Sequence, residues 1–441
     1  MGFRFLHLAD LHLETYFGGQ PETRERLRAA TLEAFDRGVE YAIEHELHAV
    51  LVAGDVYDDP LLSLRTEGEL IRQLRRLVDA NVWCLIASGN HDPGGEPFRS
   101  ADIAADLAPG GGDGARGSAP TGARVHWFRA PQPEVVTISD VEGHPVGIVV
   151  GAGHPTPTEA SNLAAAFPDA ASARAGATHL PVVGLLHTHV AGASAAATHD
   201  RFAPSTAFDF HRHEFDYWAL GHIHARQCAA PGLPVHYAGN LQGRNWREMG
   251  SKGGLVVDAD AGAPATPEFV RLAPVRWTRC SSTIPSGATR GALIDHLTRC
   301  IEAERAWPGE EVAIRMDLKG AHPLARTLRD PDELNGLGKE LAARTGALEV
   351  ELLGSRIALP VDREELRNTP SMLRHALDLI DRARTDDALL ESIAPETLAR
   401  AADHSSESVL AYLRELLADL DEEILERSLQ APEPGTGWSD A

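Results

Sequence analysis

"VWCLIASGNHDPGG", residues 82–95, runs from an apolar stretch straight into an amide, an imidazole and a carboxylate. Residues 82–87 have the length and content of a buried strand. The chain then passes through Gly89 onto Asn90, His91 and Asp92. In α/β sheets ligands bind beyond the carboxyl ends of strands, so these three polar groups stand where chemistry is done.

Similar runs recur on either side, at residues 3–9, 48–53, 146–150, 182–186, 217–220 and 255–257, and helical patterns at 23–45 and 64–80 alternate with the early ones. This is the pattern of an α/β layered domain. Four other strand ends carry related groups. Asp10 and His12 lie in "LADLH", Asp55 and Asp58 in "AGDVYD", His187 closes "VGLLH", and His222 and His224 lie in "ALGHIH". One such piece is a weak signal; five in this order, each after a strand, are hard to ascribe to chance.

Imidazoles, carboxylates and one amide, with no thiolate, suit Mn²⁺, Fe or Zn²⁺ better than a soft metal. Two adjacent cations need a bridging anion from the protein. Asp55 is the natural bridge, because Gly54 before it lets the chain turn sharply. His91 is placed to act as an acid beside the substrate, and Asp92 either orients the loop or hydrogen-bonds His91. His7 and His189 read as packing residues.

Length favours two or three domains, and 43% hydrophobic with 24% charged residues is a globular composition. A formal net charge of −23 excludes a protein that coats nucleic acid by bulk attraction. Residues 361–441 carry 19 acids against 8 arginines. Four scattered cysteines without a CxxC pair suggest a reducing compartment without disulfides. No leader or membrane-length apolar run is evident, so no membrane association and a cytoplasmic location are expected. Nothing matches GxxxxGK[ST], so any ATP chemistry lies elsewhere.

Segments 108–124 and 155–178, rich in Ala, Gly, Pro and Ser, read as surface loops without core residues, the first of them mobile. The expected organisation is a domain over 1–274, a small α/β capping domain over 275–361 with a βαβαβ-like pattern, an acidic helical segment over 362–430, and a disordered tail over 431–441. The apolar stripe Val409, Leu413, Leu416, Leu417, Leu420, Ile424 and Leu425 either packs on its own chain or docks a partner.

The strand-end pieces resemble the calcineurin-like metallophosphoesterases, and among them the SbcD-type and YhaO-like DNA repair nucleases. "YAGNLQGRNWREMGSKGG", residues 237–254, resembles the YhaO-like group in particular. The resemblance implies a four-layer β-sandwich flanked by helices and two divalent metal ions, Mn²⁺ first among them. It assigns Asp10, His12, Asp55 and His224 to one metal, Asp55, Asn90, His187 and His222 to the other, and catalysis to His91. The chemistry it implies is phosphodiester hydrolysis by a metal-bridging hydroxide. Expected partners are DNA, an SbcC-like SMC-type ATPase bound through the C-terminal helices, and, as an open option, a second copy of the chain. Arg244, Arg247 and Lys252 are expected to contact phosphates. A phosphatase or small-nucleotide phosphodiesterase, and a mainly structural DNA-end-tethering subunit, are the competing functions. One departure stands out: Glu14 and Thr15 follow "DLHL" where relatives often carry glycine or another small residue.

Overall fold

Side chains along β1 (Phe3–Leu8) part alternately to two cores, and the same division runs through the whole first unit of the chain. The computed structural model describes residues 2–18, 21–58, 63–94, 124–193, 200–360 and 371–393, with single positions at 366 and between 410 and 425. Further strands are β2 (Ala49–Ala53), β3 (Trp83–Ala87), β4 (Val125–Phe128), β5 (Glu134–Ser139), β6 (Pro145–Gly151), β7 (Val182–His187), β8 (Tyr217–Gly221), β9 (Gln227–Cys228), β10 (Val235–Tyr237), β11 (Gly253–Ala259) and β12 (Glu268–Arg271). They form two six-stranded sheets, ordered β12-β11-β1-β2-β3-β4 and β5-β6-β7-β8-β10-β9. β1 to β4 are parallel, as are β6, β7, β8 and β10. Antiparallel strands close the β11–β12 edge of one sheet and both edges of the other.

Val50, Val52, Cys84 and Ile86 point to a core with Phe35, Leu74 and Leu77 of helices α1 (Pro21–Glu44) and α2 (Leu64–Asp79). Leu51, Leu85, Val183 and Tyr217 fill the space between the sheets with Phe3 and Phe5. Val182, Leu186 and Trp218 turn outward to a third core beneath α3 (Ala170–Arg174) and α4 (Ala207–His211). The result is helix, sheet, sheet, helix, the expected four layers. Strands buried on both faces need apolar residues at nearly every position, which is why they read as short continuous runs.

Segment 155–178 departs from expectation. It is not a loop without core residues, because Leu163, Ala164, Phe167, Ala170 and Ala173 are buried in the third core. Asn162 and Asp169 cap its two short helices, each accepting from a backbone N–H three residues on. Segment 108–123 and the tail 431–441 lie outside the described residues.

The chain divides into two compact units, Met1–Thr278 with Arg305–Ala313 and Ala347–Glu349, and Arg279–Glu304 with Ile314–Gly346 and Val350–Ala441. A third sheet, ordered β13 (Val275–Thr283), β14 (Glu311–Ala321) and β15 (Glu349–Ala358), alternates with α5 (Arg290–Ala303) and α6 (Pro331–Thr345). In the second unit α7 (Met372–Thr385) and α8 (Asp387–Ile393) pack Ala383 and Leu390 against Leu413 and Leu417. Arg384 ties this cluster down, donating to the Leu417 carbonyl at 2.7 Å and pairing with Asp421 at 2.7 Å. Leu413, Leu417 and the half-buried Leu420 of the apolar stripe therefore pack on their own chain. Among the described residues no helix is long and apolar enough to cross a membrane.

Candidate metal centre

Every candidate donor follows, or ends, a parallel strand, and the loops that carry them are pinned to one another. Asp10 N donates to the Gly54 carbonyl at 3.1 Å and His12 N to the Asp55 carbonyl at 2.9 Å, so the turns after β1 and β2 form one body. Asp10, His12, Asp55 and His222 all take positive φ (51°, 49°, 52° and 104°). Such conformations cost of order 1–3 kcal/mol each and persist where the surroundings enforce them. Gly54 turns as expected, at φ 84°. Gly89 does not: its φ is ordinary, and glycine is needed because a Cβ there would lie 2.2 Å from Asp55 Oδ1.

The His187 ring sets Nδ1 against the Ala53 carbonyl at 2.9 Å, which places its proton on that atom. Its Nε2 then offers a lone pair, yet its neighbours there are Asn90 Oδ1 at 3.0 Å and Asp55 Oδ2 at 3.4 Å. With the amide oxygen so placed, three acceptors converge without a proton between them. Asp10, Asp55 and His187 form one group whose donor atoms all lie within 4.8 Å, and Asp10, His12 and His224 form another. The same Asp55 Oδ2 lies 3.9 Å from His12 Nε2, so one oxygen faces both groups. His222 stands beside them, its ring 5.2 Å from that of His187 and its Nε2 2.7 Å from the Asp200 carbonyl.

Burial, the largest influence, drives the His12 imidazole down to about 4 and His187 well below its ordinary value. Both are neutral at pH 7, the state that binds a cation. Burial likewise lifts the Asp10 carboxyl to about 7, against the opposing pull of His224. Burial also works upward on Asp55, but His187, His12 and His91 together hold it below the usual carboxylate range. Two buried carboxylates among neutral imidazoles are short of positive charge, and nitrogen and oxygen donors in this arrangement fit divalent cations.

Asp58 and Glu248 are the residues that sequence reasoning left without a role. Asp58 Oδ1 lies 3.0 Å from Nδ1 of both His12 and His91. That hydrogen bond, the largest influence on His91, raises it to about 9 despite partial burial, so the exposed His91 is an imidazolium at neutral pH. Asp92 does not bond His91; its carboxylate accepts from the backbone N–H groups of Gly89, Asp55 and Val56 and clasps the two loops together. Glu248 Oε1 lies 2.8 Å from His224 Nδ1, and its other oxygen accepts from Asn240 Nδ2 and from Arg244 N, each at 2.8 Å. The spacing of Asp58 from Asp55 was a usable signal. Glu248 sat unnoticed among the cations of its loop.

Of the residues expected to meet phosphate, Arg244 is half-buried, paired with Glu248 at 2.8 Å and 2.9 Å from His224 Nδ1. Lys252 donates to the His224 carbonyl at 2.8 Å, and burial lowers its ammonium to about 8. Arg247 is exposed. His7 is a core residue as expected, its nitrogens 3.2 Å from the Tyr217 hydroxyl and 3.1 Å from the Leu220 carbonyl. Glu14 takes φ 65°, a left-handed conformation that favours glycine, and its carboxylate accepts from the Ser63 and Thr66 hydroxyls.

Comparison with known proteins places these loops in context. The chain is 28% identical over 325 residues, 72% of each protein, to an uncharacterized metallophosphoesterase, YhaO, of Bacillus subtilis. Over 89 residues it is 38% identical to the DNA double-strand break repair protein Mre11 of Aeropyrum pernix, 20% of this chain and 21% of that one. A dimetal phosphatase from Danio rerio aligns at 12% identity and a TM-score of 0.32, covering 60% of this chain and 98% of that chain, a level of likeness that carries no weight for function. The model of the calcineurin-like phosphoesterases matches residues 3–226, more than half of the sequence, and spans the loops that bear the buried donors. The protein belongs to the calcineurin-like phosphoesterase family and is a metal-dependent phosphoesterase.

Proposed function

We propose that the protein is a DNA repair exonuclease that hydrolyses phosphodiester bonds with two divalent cations, Mn²⁺ foremost. The observation that carries the two-cation reading is the Asp55 carboxylate, one oxygen of which faces donor groups on either side. Asp10, His12, Asp55 and His224 would hold one cation, and Asp55, Asn90, His187 and His222 the other. When bound, such a pair supplies an acidified water for attack on phosphorus and positive charge for the phosphate oxygens. His91, exposed and kept protonated by Asp58, gives its proton to the departing sugar oxygen. Asp58 thus holds a donor and the acid in one hydrogen-bonded unit. The local likeness to Mre11, a DNA double-strand break repair protein, supports DNA as the substrate. An SMC-like ATPase partner, a homodimer and a cytoplasmic location belong to the same proposal and rest on the family resemblance.

End-labelled linear DNA incubated with Mn²⁺ tests this reading. Wild-type protein shortens the DNA from an end, and His91→Ala and Asp55→Ala lose at least a hundredfold in rate. Intact DNA beside a cleaved small aryl phosphodiester would replace the exonuclease with a small-substrate phosphodiesterase. DNA that is bound while neither substrate is cut would point to tethering.

A further inference from the structure

A cleft of about 660 Å³ opens beside His224, walled by the loop 244–253 and by Ala225, Arg226 and Phe269. Four cations line it, Arg226, Arg244, Arg247 and Lys252, against the single carboxylate of Glu248. On a chain with a formal charge of −23, a cleft with that imbalance is a local reversal of sign. Arg244 and Lys252 are committed to the His224 environment, through Glu248 and through the His224 carbonyl. Arg226 and Arg247 differ. The Arg226 guanidinium stands 3.6 Å from the centroid of the Phe269 ring, and Arg247 is exposed. Among the described residues neither takes part in an ion pair.

Clustered cations that outnumber the carboxylates among them repel one another and are stabilised by an anion. A single phosphate would fill a small part of the cleft, whereas a strand lays successive phosphates along it. We propose that this cleft is the track of the DNA backbone leading to the metal centre, with Arg226 and Arg247 gripping phosphates beside the one being cleaved. The inference rests on the DNA reading above. It assigns grip to Arg226, outside the three cations expected from sequence, and turns Arg244 and Lys252 into braces of His224.

The test is fluorescence anisotropy of labelled single- and double-stranded DNA binding to the full chain, with Ca²⁺ in place of Mn²⁺ to suppress cleavage, across a series of salt concentrations. The double variant Arg226→Glu with Arg247→Glu is compared with Arg72→Glu with Arg299→Glu, an equal charge change at exposed arginines outside the cleft. The expected result is at least a tenfold weaker affinity for the cleft variant only, with a salt slope shallower by about two, near one unit per lost phosphate contact. Equal losses in both variants, or none, would overturn the cleft while leaving the DNA reading standing. Wild-type protein that binds no DNA would overturn both.

Discussion

His224 Nδ1 lies between groups that ask opposite things of it: the Glu248 carboxylate at 2.8 Å accepts a proton and the Arg244 guanidinium at 2.9 Å donates one. Only a proton on Nδ1 leaves Nε2 with a lone pair towards Asp10 and His12. Glu248→Gln weakens the claim of the carboxylate and frees Arg244 to donate. Calorimetric titration is expected to show Mn²⁺ affinity about 10- to 100-fold weaker in that variant, with Glu248→Asp intermediate. His7 supplies a pH test away from the donors. Burial lowers its imidazole to about 3 from an ordinary 6.5, so below pH 6.5 the unfolded chain takes up a proton that the folded chain refuses. Stability is therefore lost as pH falls from 6.5 towards 3. Urea unfolding at pH 8 and pH 5 should show wild-type protein losing about 2 kcal/mol more than His7→Gln between the two. Residue identities at strand ends were legible because each donor type has few uses in that position. The partners of Asp92 and Glu248 were not, since a carboxylate in a loop looks the same whether it holds a histidine, a backbone or nothing.

At the scale of elements, α2 begins at a turn that serves the site as well as the helix. Ser63 Oγ accepts from Thr66 N at 3.2 Å as an N-cap and bonds the Glu14 carboxylate, tying the loop after His12 to the helix. Ser63→Ala is expected to cost about 1 kcal/mol in denaturant unfolding, the usual worth of such a cap. A loss well above 2 kcal/mol would mean that the Glu14 turn unravels with it. The central strands were readable because burial on both faces demands unbroken apolar runs. β4, β5, β9, β10 and β12 were missed for the converse reason: β5 and β12 are largely exposed or half-buried, and β4, β9 and β10 span only four, two and three residues, too short for a period to register. In segment 155–178 small residues hid Leu163 and Phe167, and alanine packs into a core as readily as it lines a loop.

For the molecule as a whole, buried carboxylates without matching cations mean that the metal-free fold carries unrelieved charge. Mn²⁺ at a hundred times its Kd should stabilise the protein by about 2.7 kcal/mol for each site filled, a rise in melting temperature that a chelator reverses. Calorimetry with and without chelator would show it; a melt indifferent to Mn²⁺ would count against the metal centre. By itself the sequence determined which residues could bear the chemistry, their order along the chain and the α/β layering, because donor type and hydrophobic period are local properties. The tertiary structure decided the rest. One carboxylate oxygen between two donor groups, the two histidines sharing Asp58, and the cations divided between bracing His224 and lining a cleft all depend on the meeting of loops far apart in sequence. Contacts of that kind are fixed by distances that no pattern along the chain records.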